Sequence, residues 1–361
     1  MFIFDVMKSK LKNGIALLLP IQIVLVKWLA NYPAFIEKYY SNGLYQYTSK
    51  FFRYLLGWIP FSVGDILYAA LIIFALKYVI KKRKYIKQKP LIFLRNILVV
   101  LSIAYFTFHF CWGLNYYREP LYKTLQIKEN HSLAELESFV SRLIEKTNTI
   151  HKTITEDSTK AVVMPYNKSE IYDLTTVGYT ELQKKYPFLN YQTPSLKTSL
   201  YSTGLSYAGY GGYLNPFTNE AQVNGKIPLY RYPVIAGHEA GHQIGYSAEN
   251  ETNFIGYLVT ANNTDIYFKY AAYSYALSYC LSDIRYNNPE LFNQLYSNLN
   301  VGVKKNYQEL STFWGNYENP MEPVLKSVYS TFLKANNQTD GMKSYSRIVT
   351  LLVAYHQKHP L

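Results

Sequence analysis

The stretch PVIAGHEAGHQIGYSAENETNF, residues 233–254, decides how the rest of the chain is read. Inside it, His238-Glu-Ala-Gly-His242 sets two histidines four residues apart. On an α-helix that spacing puts both imidazoles on one face, where they can share a cation. Glu239 projects beside that face and can take a proton from water. Pro233 suits the first helical turn, where its missing N–H has no partner to lose, and Gly245 suits the stop. Imidazoles joined by a carboxylate, with one position left open, are the usual donor set of hydrolytic zinc.

The third ligand has to come from downstream. Glu249 opens a second helix and shares a face with Asn253, so Glu249 is the expected ligand and Asn253 the group that steadies one. Glu251 is the alternative. It lies about 200° round that helix, where it reads as a solvated first-turn carboxylate favourable to the helix dipole.

Upstream, the composition changes. Of the 361 residues, 49% are hydrophobic and 17% charged, which excludes long disorder. The net charge of +13 is concentrated early: residues 1–120 hold 16 Lys or Arg and 4 Asp or Glu, and the remainder holds 21 and 20. A nucleic-acid binder would carry its basic patch on the folded domain. Here the cations lie among apolar runs at about 15–29, 59–80 and 91–112, so nucleic acid is not an expected partner and the lipid bilayer is.

The second and third runs are long enough to cross about 30 Å of hydrocarbon. The first contains Pro20 and Lys27 and is weaker, but it lacks a small-residue cleavage site and is expected to be retained as a helix. Six cations fall between residues 81 and 89, and Lys8, Lys10 and Lys12 precede the first run. Both clusters favour the cytoplasm, which leaves everything after the third span outside. Asp65, at the start of the second run, is expected to cap its own helix. Cys111 and Cys280, the only cysteines, suggest neither a disulfide framework nor a thiolate site.

Beyond the spans, Ser132 and Glu135 have capping-box spacing and open a helix towards Thr153. A second helix is expected over 169–186. Residues 195–232 read as strands and turns, and from Pro233 the chain is helical, with breaks near Gly245, Pro289, Pro320 and Gly341. Tyr207-Ala-Gly-Tyr-Gly-Gly-Tyr213 is the expected strand beside the site. Glu220 and Asn224 follow on a loop, solvated or lining the cleft.

The 238–254 segment resembles the gluzincin metallopeptidases, whose HExxH helix is followed by a helix supplying a glutamate with Asp or Asn four residues later. More narrowly, the chain is similar to DUF3810, a family of bacterial membrane proteins. The resemblance rests on Pro60-Phe-Ser-Val-Gly-Asp65, Trp112-Gly-Leu-Asn-Tyr-Tyr-Arg118, Asn215-Pro-Phe-Thr-Asn-Glu-Ala221, His238 to Phe254, and Asp340-Gly-Met-Lys-Ser-Tyr345. It implies that Tyr345, with Ser344 beside it, donates a hydrogen bond to the tetrahedral intermediate. The chain departs from gluzincins in the short connection of six residues between His242 and Glu249. A metzincin reading fails because its third histidine would fall at Ala248.

The expectation is a mainly α protein. Residues 1–112 form a membrane domain of three transmembrane helices, and residues 113–361 form an extracytoplasmic, zincin-like α+β domain with a small sheet. It would be a multi-pass inner-membrane zinc peptidase acting on a peptide or protein, its catalytic part periplasmic or extracellular. The rival is a non-catalytic envelope protein whose structural metal organises partners.

Overall fold

Ser9–Leu29 (α1), Val63–Gln88 (α3) and Pro90–Cys111 (α4) are each long and apolar enough to cross a membrane, and little of their surface is covered by the rest of the chain. They belong to a computed structural model that describes residues 8–128, 130–338 and 347–361. Between α1 and α3 the chain forms a π-helical stretch, Ile36–Leu44, that runs into Tyr45–Leu56 (α2). Helices α1 and α4 run parallel: Arg95 donates to Ser9 Oγ at 2.9 Å and Gln22 to Ser102 Oγ at 3.2 Å. Lys81 to Lys84 continue α3 rather than forming a loop, and only Lys89 separates α3 from α4. The end of α1, the start of α3 and the end of α4 therefore share one side, and the remaining chain packs there.

The start of α3 is bound into that packing. Its N-cap is Ser62, whose Oγ accepts the Asp65 N–H at 2.9 Å, so Asp65 is not the cap. The Asp65 carboxylate instead accepts from Ser199 Oγ at 3.0 Å, from the Leu200 N–H at 2.6 Å and from the Tyr213 hydroxyl. Glu220 is buried rather than solvated. Its two oxygens accept the N–H groups of Val63 and Gly64 at 3.1 and 2.6 Å. The first N–H groups of a helix lack intrahelical partners and carry positive partial charge, so a carboxylate is held there even away from water. Gly64 permits the approach, since a Cβ would stand 2.5 Å from Asn215 Nδ2.

After α4, Leu133–Thr155 (α5) and Lys168–Lys185 (α6) both open on capping boxes, Ser132 with Glu135 and Asn167 with Glu170. The segment read as strands and turns is only partly so. It holds Leu196–Thr198 (β1), the helix Ser202–Ala208 (α7), Gly212–Leu214 (β2) and Ala221–Val223 (β3). Helix α7 takes the first two residues of the expected Tyr207–Tyr213 strand, ending where Gly209 adopts φ 75°. In the sheet β3 is central, parallel to β1 and antiparallel to β2. Asn224 does not lie free on a loop: it is buried and donates to Ser206 Oγ and the Tyr210 carbonyl.

The rest is helical: Tyr232–Gln243 (α8), Glu249–Ala261 (α9), Ile266–Asn287 (α10), Pro289–Ser297 (α11), Val301–Gly315 (α12), Glu322–Ala335 (α13) and Ile348–His356 (α14). Residues such as Tyr232, Phe254, Phe268 and Leu352 bury a core shared by α8, α9, α10 and α14. Cys111 and Cys280 are buried and unpaired.

Candidate metal centre

Three glycines set how closely α8 and α9 cross. A Cβ on Gly237 would stand 3.2 Å from Gly256 Cα, one on Gly256 would stand 2.9 Å from the His238 nitrogen, and one on Gly241 would meet Thr252 at 3.3 Å. Backbone contact at that range carries the first turns of α9 over the histidine face of α8. Glu249 Oε2 then lies 3.4 Å from His238 Nε2 and 3.8 Å from His242 Nε2. The two imidazoles stand perpendicular with centroids 4.7 Å apart.

Each imidazole is fixed through its other nitrogen. His238 Nδ1 donates to Asn253 Oδ1 at 2.9 Å, and that oxygen also accepts the Tyr275 hydroxyl at 2.7 Å. His242 Nδ1 donates to the Tyr246 carbonyl at 2.7 Å. That carbonyl is aimed by the helix stop: Gly245 takes φ 96° and the Tyr246 N–H returns to the Gly241 carbonyl. With both Nδ1 atoms donating, both Nε2 atoms face the gap beside Glu249.

Glu239 lies with its carboxylate within 4.8 Å of the histidine donors. It is buried, and its Oε2 has no hydrogen-bond partner among the described residues. Burial pushes its pKa up to about 7, while His238 and His242 pull it back. Burial also disfavours charge on His242 and Glu249, but their mutual attraction outweighs it. The His242 pKa rises to about 9 and the Glu249 carboxyl stays well below the usual range.

Glu251 is brought elsewhere. It is buried, not solvated, and accepts the Leu121 N–H at 2.7 Å, capping the turn after Pro120. Burial raises its pKa to about 7, against the pull of Leu121 and Arg118. Tyr345 and Ser344 lie outside the described residues, as does the Asp340–Tyr345 motif.

The carboxyl end of α8 is closed by residues next to the spans. Trp112 Nε1 donates to the His242 carbonyl at 3.1 Å and the Tyr45 hydroxyl to the Gln243 carbonyl at 2.9 Å. Arg118 donates to the Gly245 carbonyl at 2.8 Å, pairs with Glu37 at 2.6 Å and stacks on Tyr246.

The site opens into a cleft of about 870 Å³. Gly212 on β2 forms part of its wall, and a Cβ there would meet Glu239 Oε1 at 2.5 Å. The Asn215 N–H bonds to Glu220 and the Asn224 N–H to Gly211, so pairing with β3 falls on residues 211, 213 and 215. The backbone groups of Gly212 and Leu214 therefore point to the open edge of the sheet.

The chain matches, over residues 40–353, the family model described as "Protein of unknown function (DUF3810)". It belongs to the DUF3810 family. No curated protein and no solved structure matches it. The DUF3810 match runs from the π-helical stretch into α14, so it takes in the juxtamembrane residues that close α8 as well as the histidines.

Two cleft residues escape sequence reasoning. Tyr329 on α13 donates to Glu249 Oε1 at 2.8 Å, and nothing in the spacing of 38 tyrosines singles it out. Arg231 caps α8 and lines the cleft. It is 7% exposed, its Nη1 is buried without a hydrogen-bond partner, and it has no carboxylate partner among the described residues. Its place seven residues before His238, on the face shared by Ile235 and His242, is a helical signal that could have found it.

Proposed function

We propose that this DUF3810 protein is a membrane-anchored, zinc-dependent hydrolase with a zincin-like fold, acting on peptide bonds. The observation that carries the reading is Glu239, a buried carboxylate with an unpartnered oxygen beside two histidines whose Nε2 atoms converge. A structural metal site has no use for such a group, whose burial without a partner is costly.

The donors fit the metal. Tetrahedral zinc with ligands at about 2.0–2.1 Å spaces them by about 3.3–3.4 Å, and Glu249 stands 3.4 and 3.8 Å from the two histidines. His238, His242 and Glu249 would hold it, Asn253 and the Tyr246 carbonyl fixing the imidazoles. Bound there, zinc supplies Lewis acidity towards water and carbonyl oxygen. Glu239 takes the proton from the attacking water and delivers it to the leaving amine. The outward groups of Gly212 and Leu214 hold an extended peptide by strand addition. Arg231, about 10 Å up α8 from His238, meets a carboxylate on the substrate.

The positive clusters before α1 and at the α3–α4 junction favour the cytoplasm, which sets the cleft on the opposite face of the membrane. The test is Glu239→Gln in the full chain. It keeps the shape and loses the base, so zinc near one per chain with hydrolysis abolished is the expected result. Turnover retained in that variant overturns the mechanism, and loss of its zinc makes Glu239 structural.

A further inference from the structure

We propose that the cleft takes peptide segments lying within a few residues of a membrane anchor. The bond broken rests on the hydrolase reading, whereas the placement of the cleft does not.

The cleft wall is continuous with the spans. Tyr68, in the second turn of α3, lines it, as do Phe108, in the last turn of α4, and Trp112 immediately after. The Tyr68 ring stacks on Tyr213 with centroids 6.3 Å apart and meets Phe217 edge-on at 6.4 Å. Tyr213 is the neighbour of Gly212, the residue against Glu239. One three-residue strand thus bridges the side chain of a spanning helix and the acidic centre, a reach of about 10 Å at about 3.3 Å per residue. Asp65 secures the bridge, taking the Tyr213 hydroxyl from the first turn of the same span.

A second observation sets the bilayer surface at this level. Helix α2 buries Tyr45, Ser49 and Arg53 and turns Tyr47, Phe51, Tyr54 and Leu55 outwards, followed by exposed Trp58 and Phe61. In water such a collar would be an aggregation hazard. Between two spans it has the composition of an interfacial belt, in which amphipathic aromatics sit among lipid headgroups. Tyr68 and Phe108, which line the cleft, belong to the two spans beside that junction. An acyl chain or a transmembrane helix leaves the bilayer where the cleft begins, and the next three to five residues of its polypeptide reach the acidic centre along β2.

The experiment uses the full chain in phosphatidylcholine vesicles. A spin label is attached to Phe217→Cys in the cleft or, as a control, to Tyr286→Cys, a position 89% exposed. The native cysteines are buried. The Phe217→Cys label should relax with a nickel-chelating lipid and the Tyr286→Cys label with a water-soluble nickel complex only. If both labels behave alike, the proposal is overturned. One peptide library is then presented free, on a palmitoyl anchor and on a transmembrane helix. Cleavage within about five residues of either anchor, at least tenfold faster than in the free library, is expected; the two anchored arms tell which anchor is preferred. Equal cleavage of free and anchored peptides overturns the substrate class and leaves the hydrolase standing. No cleavage of any library, with the cleft label still at the lipid surface, rejects the hydrolase reading instead and leaves the cleft a binding site for such segments.

Discussion

Glu249 Oε2 lies 3.4 Å from His238 Nε2, whereas Glu251, two residues on, faces away and accepts the Leu121 N–H at 2.7 Å. The two carboxylates therefore separate by experiment. Glu249→Ala should weaken zinc binding severely. Glu251→Ala should keep zinc but lower stability by about 1–3 kcal/mol, because the Leu121 N–H is left buried and unpaired. Zinc titration and thermal unfolding of both variants decide it, and zinc loss confined to Glu251→Ala would reverse the assignment.

Asn253 Oδ1 accepts from both His238 and Tyr275, so it aims one ligand and is itself held. Asn253→Ala should lower zinc affinity about 10–100-fold. Tyr275→Phe removes only the outer hydroxyl and should cost less. Competition against a chelator of known affinity measures both, and equal losses would mean that Asn253 does not act through the histidine.

Much of this centre was legible in residues 233–254. The period of the helix put His238 with His242 and Glu249 with Asn253, and those pairings depend only on local geometry. Burial of Glu251 was not legible, since its partner, Leu121, is 130 residues away. Nor was that of Glu220, whose partners sit at the start of a span. An acidic residue in a loop has the same local signature whether it meets water or a helix terminus. The spans themselves were read from hydropathy to within a few residues at most ends, though α1 starts earlier and α3 runs on to Gln88. The 195–232 segment misled because glycine and tyrosine suggested strands where α7 forms.

His356 offers a test of the core. Its Nδ1 donates to the His359 carbonyl at 2.9 Å, so its Nε2 accepts the Tyr257 hydroxyl at 2.7 Å and the ring is held neutral. Burial lowers its pKa from 6.5 to about 4. Between those values the unfolded chain binds the proton more readily, so stability is full above about pH 6.5 and lost as pH falls to about 4, by about 3 kcal/mol in all. Unfolding midpoints in detergent should therefore fall less between pH 7 and pH 4.5 for His356→Gln than for the native chain. Parallel declines would assign the acid sensitivity to other groups.

Topology is tested by fusion. A reporter after residue 86 should be cytoplasmic and one after Leu361 external, because the cations around 81–89 resist translocation and one crossing, α4, separates the two fusion points. Reporters found on the same side would exclude three crossings.

Trp112 and Tyr45 close the last turn of α8, and neither belongs to the globular sequence that follows the third span. A fragment cut free after Trp112 would lose Tyr45 and Trp112 together, leaving the carbonyls of His242 and Gln243 without these donors. During biosynthesis α8 is translated long after the spans, so its final turn is completed only against segments already integrated in the lipid. The two imidazoles would then take up the arrangement described above only once the juxtamembrane residues are in place, and on the proposed reading a chain shed from the membrane would have lost two of the contacts that hold His242.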